Sequence, residues 1–349
     1  MHCAILRCAG RLAGVAEMTI CVVAACDRAP TEPADARSSS IRAITLVDWS
    51  ADGYDSPGAR DEMAALATTG ANTVVLVVTA WQDSPSSNLV QVDSTRTPAP
   101  HAVTAATTWA RTLGLQVALK PHVDLMDGSW RGTIDPSDPH AWFASYLDFI
   151  LPWADLAHAE RMSFFVAGTE LAGTIGAVDS WRRVVQEIRL RFEGPLVYAA
   201  SWDEAERVGF WGAVDRVGVD AYWPVAQRTD AGRFELLAGW QPWLARLEIL
   251  RAKAARPILI TEIGYRSVDG AGLKPFRFGN PGVADPQEQA DLYWAALQAI
   301  APHEWIAGIV WWNWLARGGG GLLDTDYTPA GKLAAVELQQ AWLASRSSE

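Results

Sequence analysis

Two glutamates that close apolar runs offer the clearest chemistry in this sequence. Glu170 follows Phe164-Phe165-Val166-Ala167-Gly168-Thr169, and Glu262 follows Ile258-Leu259-Ile260-Thr261. Such runs suit strands buried on both faces, so a carboxylate at the end of one stands where the packed interior opens into a mouth. Two carboxyl groups about 5–5.5 Å apart can carry out a double displacement at an acetal carbon, one attacking the carbon and the other protonating the leaving oxygen. Burial and mutual repulsion can hold such a pair in different protonation states near neutral pH. The competing reading of either glutamate is a solvated loop residue or a salt-bridge partner.

The elements that must position this pair follow from the periodicity of the chain. Short apolar or β-branched runs at 43–48, 73–79, 115–122, 164–170, 196–201, 216–222, 258–262 and 307–313 alternate with helical patterns, clearest at 57–69, 140–157, 179–191, 236–254, 286–300 and 329–344. Several of the helical stretches carry Pro in the first turn, where its missing N–H costs nothing. Eight such units within 349 residues predict the α/β class, a single-domain (β/α)8 TIM barrel over 41–346. A doubly wound open sheet usually needs fewer strands, and the first βα turn here lacks a Gly-rich phosphate fingerprint. The runs ending in Glu170 and Glu262 are the fourth and the seventh. They lie across a barrel from one another, so two long side chains can converge over its centre.

Catalytic groups of such a barrel sit at the C-terminal ends of its strands. Those ends read Asp48-Trp49, Trp81, Lys120 with His122 and Asp124, Glu170, Ser201-Trp202, Asp220 with Tyr222-Trp223, Glu262, and Trp311-Trp312-Asn313-Trp314. Carboxylate, amide and indole at nearly every end predict one polar cleft with aromatic walls. The chain has 18 Trp, and indole rings stack on flat apolar faces such as those of sugars, although packing within the core claims many of them. Tyr222 is a candidate to orient Glu262 by a hydrogen bond, and Tyr265 to line the cleft. Strand alternation sends one of Trp311 and Trp312 into the mouth to floor a sugar. Trp81, Trp202 and Trp223 are candidates for neighbouring subsites. Lys120, His122, Asp124, Asp220 and Asn313 are candidates to bind sugar hydroxyls or, equally, to form an internal polar network. His122 with Asp124 has no third ligand at a metal-binding spacing, so neither a metal nor a cofactor is expected. Gly318-Gly319-Gly320-Gly321 follows the last strand, either to let a polysaccharide approach closely or as a flexible loop.

The net charge of −11 opposes binding to phosphate backbones, so no nucleic acid partner is expected. All four Cys lie within the first 26 residues, leaving the body without a disulfide or Cys-based metal site. Residues 1–26 carry Arg7 and Arg11 and then an apolar stretch ending Val23-Ala24-Ala25-Cys26, similar to a bacterial lipoprotein signal in which the Cys is lipidated. Glu17 interrupts that stretch. Residues 27–40 are rich in Pro, Ser and Ala and read as a disordered tether. The expectation is export, as a cell-envelope lipoprotein or a secreted protein, with membrane contact only through Cys26. A lone acidic domain on a tether fits a monomer.

Gly168-Thr169-Glu170-Leu171, Thr261-Glu262-Ile263-Gly264-Tyr265 and Trp311-Trp312-Asn313-Trp314 resemble the glycosidase clan with acid/base on strand four and nucleophile on strand seven. Lys120-Pro121-His122-Val123-Asp124 followed by Trp130-Arg131-Gly132 narrows the likeness to glycoside hydrolase family 113, over roughly 43–345. The resemblance implies a retaining, endo-acting β-1,4-mannanase that can transglycosylate, with Glu170 as acid/base, Glu262 as nucleophile, and β-mannan or a related β-glycan as substrate. One departure from the wider clan is Thr169, where many relatives have an Asn that contacts the sugar 2-hydroxyl. The alternatives are another β-glycan specificity, such as a glucanase or exo-β-mannosidase, and a non-catalytic glycan-binding lipoprotein.

Overall fold

A computed structural model describes residues 40–279 and 282–346 of the chain. The expected leader and nearly all of the tether lie outside these residues. Eight parallel strands close into a barrel in sequence order: β1 (Ile41–Val47), β2 (Thr73–Gln82), β3 (Gln116–Leu125), β4 (Phe165–Thr169), β5 (Leu196–Ser201), β6 (Arg216–Asp220), β7 (Ile258–Ile263) and β8 (Ile306–Leu315). β8 pairs back onto β1, from Ile41 opposite Gly308 to Val47 opposite Leu315. Each strand falls on one of the eight apolar runs. The flanking helices are α1 (Pro57–Ala67), α2 (Pro100–Thr112), α3 (Pro139–Ala159), α4 (Val178–Arg189), α5 (Arg233–Gly239), α6 (Gln241–Ala254), α7 (Pro286–Ile300) and α8 (Leu333–Arg346). None of the described helices is long and apolar enough to cross a membrane.

Three departures from the sequence pattern have local causes. The helix expected over 236–254 is two helices broken at Trp240. Pro242 has no N–H to donate to the carbonyl four residues earlier, and it sits instead in the first turn of α6. The connection from β5 to β6 holds no α-helix but two 3-10 turns, Ala205–Arg207 and Trp211–Ala213, in a stretch punctuated by Gly209 and Gly212. The last helix begins at Leu333 rather than 329, because Gly331 adopts a φ of 66° and turns the chain before it.

Strand alternation divides the core into two shells. Ala43, Val75, Ala118, Val166, Val197, Ala199, Leu259 and Val310 fill the barrel interior, while Ile44, Val74, Leu76, Leu119, Tyr198 and Ile260 face the helices. β3 shows the consequence most clearly. Ala118, Lys120, His122 and Asp124 follow one another at every second residue on the inward face, climbing from the apolar layer to the mouth. Trp142, Trp181, Trp240 and Trp311 are fully buried between sheet and helices. Trp142 donates to Gln82 Oε1 at 2.8 Å and Trp181 to Thr174 Oγ1 at 3.1 Å, so part of the indole content serves packing.

Gly218 on β6 leaves no room for a side chain: a Cβ there would lie 2.4 Å from the Tyr198 carbonyl oxygen and 2.8 Å from Val197 Cγ1. Gly218→Ala is therefore expected to destabilise the barrel by about 1–3 kcal/mol through overpacking. Denaturant unfolding checks this, and a midpoint equal to that of the parent chain would contradict the close strand contact.

Candidate functional site

The inward-facing strand ends converge on Glu262. Lys120 extends from β3 across the barrel and places Nζ 2.6 Å from Glu262 Oε1. The same ammonium donates to both oxygens of Asp220, at 3.2 and 3.3 Å, and to the Thr261 carbonyl oxygen at 3.2 Å. Thr261 Oγ1 donates to Asp220 Oδ1 at 2.7 Å. Tyr222, just beyond β6, donates its phenol to Glu262 Oε2 at 2.7 Å. Both oxygens of Glu262 thus accept, the pattern of an ionised carboxylate. Burial, and then the negative charge of Glu262, push the Tyr222 phenol well above its ordinary range, so it remains a donor. Burial also raises Asp220, with Glu262 adding to the effect and Lys120 opposing it.

Glu170 reaches the same mouth by a different local route. A register shift between Val166 and Thr169 interrupts the pairing of β4 with β5. Glu170 then takes a left-handed φ of 51°, with its N–H bonded to the Ala199 carbonyl oxygen at 2.8 Å. A non-glycine residue in that region costs on the order of 1–2 kcal/mol, and such strain collects at functional sites. Trp130 Nε1 donates to Glu170 Oε2 at 3.1 Å, and Arg131 Nη1 lies 3.8 Å from the same oxygen. Arg131 is anchored on Asp124 Oδ1 by Nη2 at 2.7 Å and Nε at 2.9 Å. Burial, followed by the charge of Glu262, raises the Glu170 pKa to about 7, against the opposing pull of Arg131, Trp130 and Lys120. The two carboxyl groups therefore face one cavity in unlike protonation states.

That cavity has a volume of ≈ 750 Å³. Of the residues expected at the site, it is lined by Glu170, Glu262, Trp81, Asp124, Trp202, Tyr222, Trp312 and Asn313. Lys120, His122 and Asp220 do not line it: they are buried beneath the carboxylates. Lys120 and Asp220 form a bonded network with Glu262, while His122 Nε2 stands 3.8 Å from Glu262 Oε1 without a hydrogen-bond partner among the described residues. Burial, with the nearby charges of Arg131 and Lys120, lowers the His122 pKa well below its usual value, and the neutral ring stacks on Trp312 with centroids 5.9 Å apart.

Three expected residues lie away from the cavity. Trp311 points outward and stacks on Tyr293 of α7 at 3.8 Å, as alternation requires once Trp312 points inward. Tyr265 is fully buried against Tyr293. Trp223 packs between Trp240 and Trp243 of the α5–α6 region. The tetraglycine does not line the cavity either. It forms a turn with positive φ throughout, and the loop it leads into brings Asp326 and Tyr327 to the cavity wall.

The wall also includes Trp49, Trp130, Arg131, Phe276, Phe278 and Tyr327. All lie on loops beyond the strands, where period-two alternation no longer tells which way a side chain points. Trp49 and the Trp130-Arg131-Gly132 stretch were visible in the sequence without an assigned role. Phe276 stacks on Trp202 with centroids 5.8 Å apart, and Tyr327 ties its loop to the Pro275 carbonyl oxygen at 2.8 Å. Away from the mouth, Asp269, Asp285 and Glu288 approach one another closely enough to consider a cation. Backbone donors already engage two of them: Asp285 caps α7, and Glu288 accepts from Gly270 and Gly272.

Comparison with known proteins agrees with the barrel fold. The family model described as Glycoside Hydrolase Family 113 matches residues 48–332. No curated protein matches the chain. Among solved structures, a GH113 β-mannanase from Alicyclobacillus acidocaldarius in complex with ManMIm superposes with a TM-score of 0.81 and 26% identity, covering 88% of this chain and 98% of that one. A GH113 β-1,4-mannanase complex gives a TM-score of 0.81 at 24% identity, over 88% of this chain and 99% of that chain. A β-D-glucuronidase from Dictyoglomus thermophilum gives 0.56 at 15% identity and is similar over 87% of this chain and 50% of its own.

The buried network has a measurable signature. Lys120→Met leaves Asp220 and Glu262 without their cation, an expected loss of about 3–5 kcal/mol at neutral pH. The orphaned carboxylates gain protons more readily in the folded chain, so the loss should shrink as pH falls toward 5. Urea unfolding at the two pH values checks this, and a pH-independent difference would sink the ion-network account.

Proposed function

Because the chain belongs to glycoside hydrolase family 113, we propose that it hydrolyses β-1,4-mannosidic bonds of mannan or glucomannan by double displacement, cleaving within the chain, with Glu262 as nucleophile and Glu170 as acid/base. The observation that carries this reading is the unlike state of the two carboxyl groups facing one cavity. Glu262 accepts from Lys120 and Tyr222 on its two oxygens, and the buried Glu170 holds its proton up to about pH 7. Glu262 attacks the anomeric carbon while Glu170 protonates the departing oxygen. Glu170 then takes a proton from the water that releases the sugar from Glu262, or from a sugar hydroxyl when the enzyme transglycosylates. The mannan specificity draws support from the GH113 β-mannanase structures that superpose on this chain. Trp312, stacked on His122 and lining the cavity, is suited to floor the sugar at the reacting position, with Trp81, Trp202 and Trp49 as walls for its neighbours.

The export reading belongs to the same proposal. Val23-Ala24-Ala25-Cys26 and the polar stretch after it support lipid attachment at Cys26. Metabolic labelling with a palmitate analogue, lost in Cys26→Ser, is the expected result, and unlabelled parent chain would rule the anchor out. A monomer is expected by size-exclusion chromatography.

Assayed on mannan, glucomannan, cellulose and manno-oligosaccharides, the protein should release mixed short oligosaccharides from the first two. A product dominated by mannose from the earliest time points would overturn the endo reading, and preference for cellulose the specificity. The first-formed reducing end should be the β anomer by NMR, since an α product requires an inverting pair. Alkaline loss of activity should centre near pH 7, where Glu170 gives up its proton. Glu262→Ala should cut turnover by at least roughly 10⁴-fold while oligosaccharide binding persists.

A further inference from the structure

Trp130, Arg131 and Gly132 lie on the loop that leaves β3, and the first two act on one atom. Trp130 donates its indole N–H to Glu170 Oε2 at 3.1 Å, and Arg131 Nη1 stands 3.8 Å from that same oxygen. Neither contact touches Oε1. The indole lies flat against Gly132, where an added Cβ would fall 2.3–2.6 Å from three of its ring carbons. Asp124 fixes the guanidinium through two bonds to one of its oxygens. The donor and the cation are thus both braced from behind.

We propose that Trp130 and Arg131 are the positioning residues of the acid/base: by holding Oε2, they make Oε1 the oxygen that carries the proton to the substrate. The inference rests on the reading of Glu170 as acid/base. In a neutral carboxyl group the carbonyl-type oxygen accepts hydrogen bonds and the hydroxyl oxygen donates. One donor and one nearby cation at Oε2 assign it the accepting role and keep the carboxyl from exchanging its two oxygens by rotation. In the first step the proton on Oε1 moves to the leaving oxygen as the glycosidic bond breaks and the bond to Glu262 forms. In the second, water returns a proton to Oε1 as its oxygen replaces Glu262 on the sugar.

The same arrangement sets how easily Glu170 ionises. The charged or titratable groups around it are Arg131 beyond β3, Lys120 and Asp124 on β3, Asp220 on β6, Glu262 on β7 and Tyr327 beyond β8. Of these, Arg131 stands against Oε2, and it and the Trp130 donor both favour the carboxylate. Removing either should therefore raise the alkaline limb of the activity profile, even as the rate falls through lost orientation.

The test compares Trp130→Phe, Arg131→Gln, Arg131→Lys and Gly132→Ala with Glu170→Ala, on mannohexaose and on 2,4-dinitrophenyl β-mannobioside. Trp130→Phe and Arg131→Gln should move the alkaline limb of kcat up by about half to one pH unit. Both should lower kcat on mannohexaose roughly 10- to 100-fold, and less on the activated substrate, whose leaving group needs no proton. Gly132→Ala should act in the same direction by displacing the indole, and Arg131→Lys should hold the limb near its parent position. A higher KM with an unmoved limb in Trp130→Phe and Arg131→Gln would overturn the inference, reducing Trp130 to a sugar platform. The underlying assignment is tested separately by Glu170→Ala, which should turn over the activated substrate and yield a β-glycosyl azide with added azide. Absence of that product would remove the acid/base reading itself.

Discussion

The site is organised around a buried lysine ammonium shared between two carboxylates. Lys120 is almost wholly inaccessible to water, yet its Nζ meets Glu262 at 2.6 Å and Asp220 at 3.2 Å. A charge this deep is tolerated only with full hydrogen-bonded compensation. Asp220, Glu262 and the Thr261 carbonyl supply that compensation from β6 and β7, while Lys120 itself stands on β3. The barrel must therefore be closed before the charge is satisfied. The same contacts fix Glu262 in place, so the stability of the strand ends and the readiness of the nucleophile rest on one set of bonds.

Glu170 stands in contrast. Its environment keeps a proton available, because burial and the facing negative charge outweigh Arg131 and the Trp130 donor. Two glutamates lining one cavity are thus driven apart in protonation by what surrounds them: an ammonium and a phenol at Glu262, and at Glu170 an indole with a guanidinium held back by Asp124. The left-handed backbone at Glu170 follows the interrupted pairing of β4, and the two together set the direction in which its side chain leaves the strand.

The aromatic content divides along the same inner and outer faces. Trp142, Trp181, Trp240 and Trp311 are packing residues behind the sheet, whereas Trp81, Trp202 and Trp312 open on the cavity. The adjacent pair Trp311 and Trp312 takes opposite fates because successive residues of β8 face opposite sides. Composition alone could not make this division. Alternation resolves it along strands, but it fails at Trp223 and Tyr265, which lie beyond the strand ends and turn into the helix layer.

Order and face were determined by the sequence itself. Buried parallel strands need near-continuous apolar runs, so the eight strands and the placement of Glu170 and Glu262 at the ends of the fourth and seventh were legible from periodicity. The splitting of one helix at Trp240 followed from Pro242, a signal present but outweighed by the surrounding pattern. Only the tertiary structure decided height and partnership. Lys120, His122 and Asp220 read equally as sugar ligands or as an internal network, because the sequence does not say how far below the mouth a strand residue lies. The bonds that draw Lys120 and Asp220 into the network join residues 100 and 142 positions apart, and they exist only once the barrel is closed. The approach of Trp130 and Arg131 to Glu170 has the same origin, in a loop whose direction is set by what it packs against and not by any period in the chain.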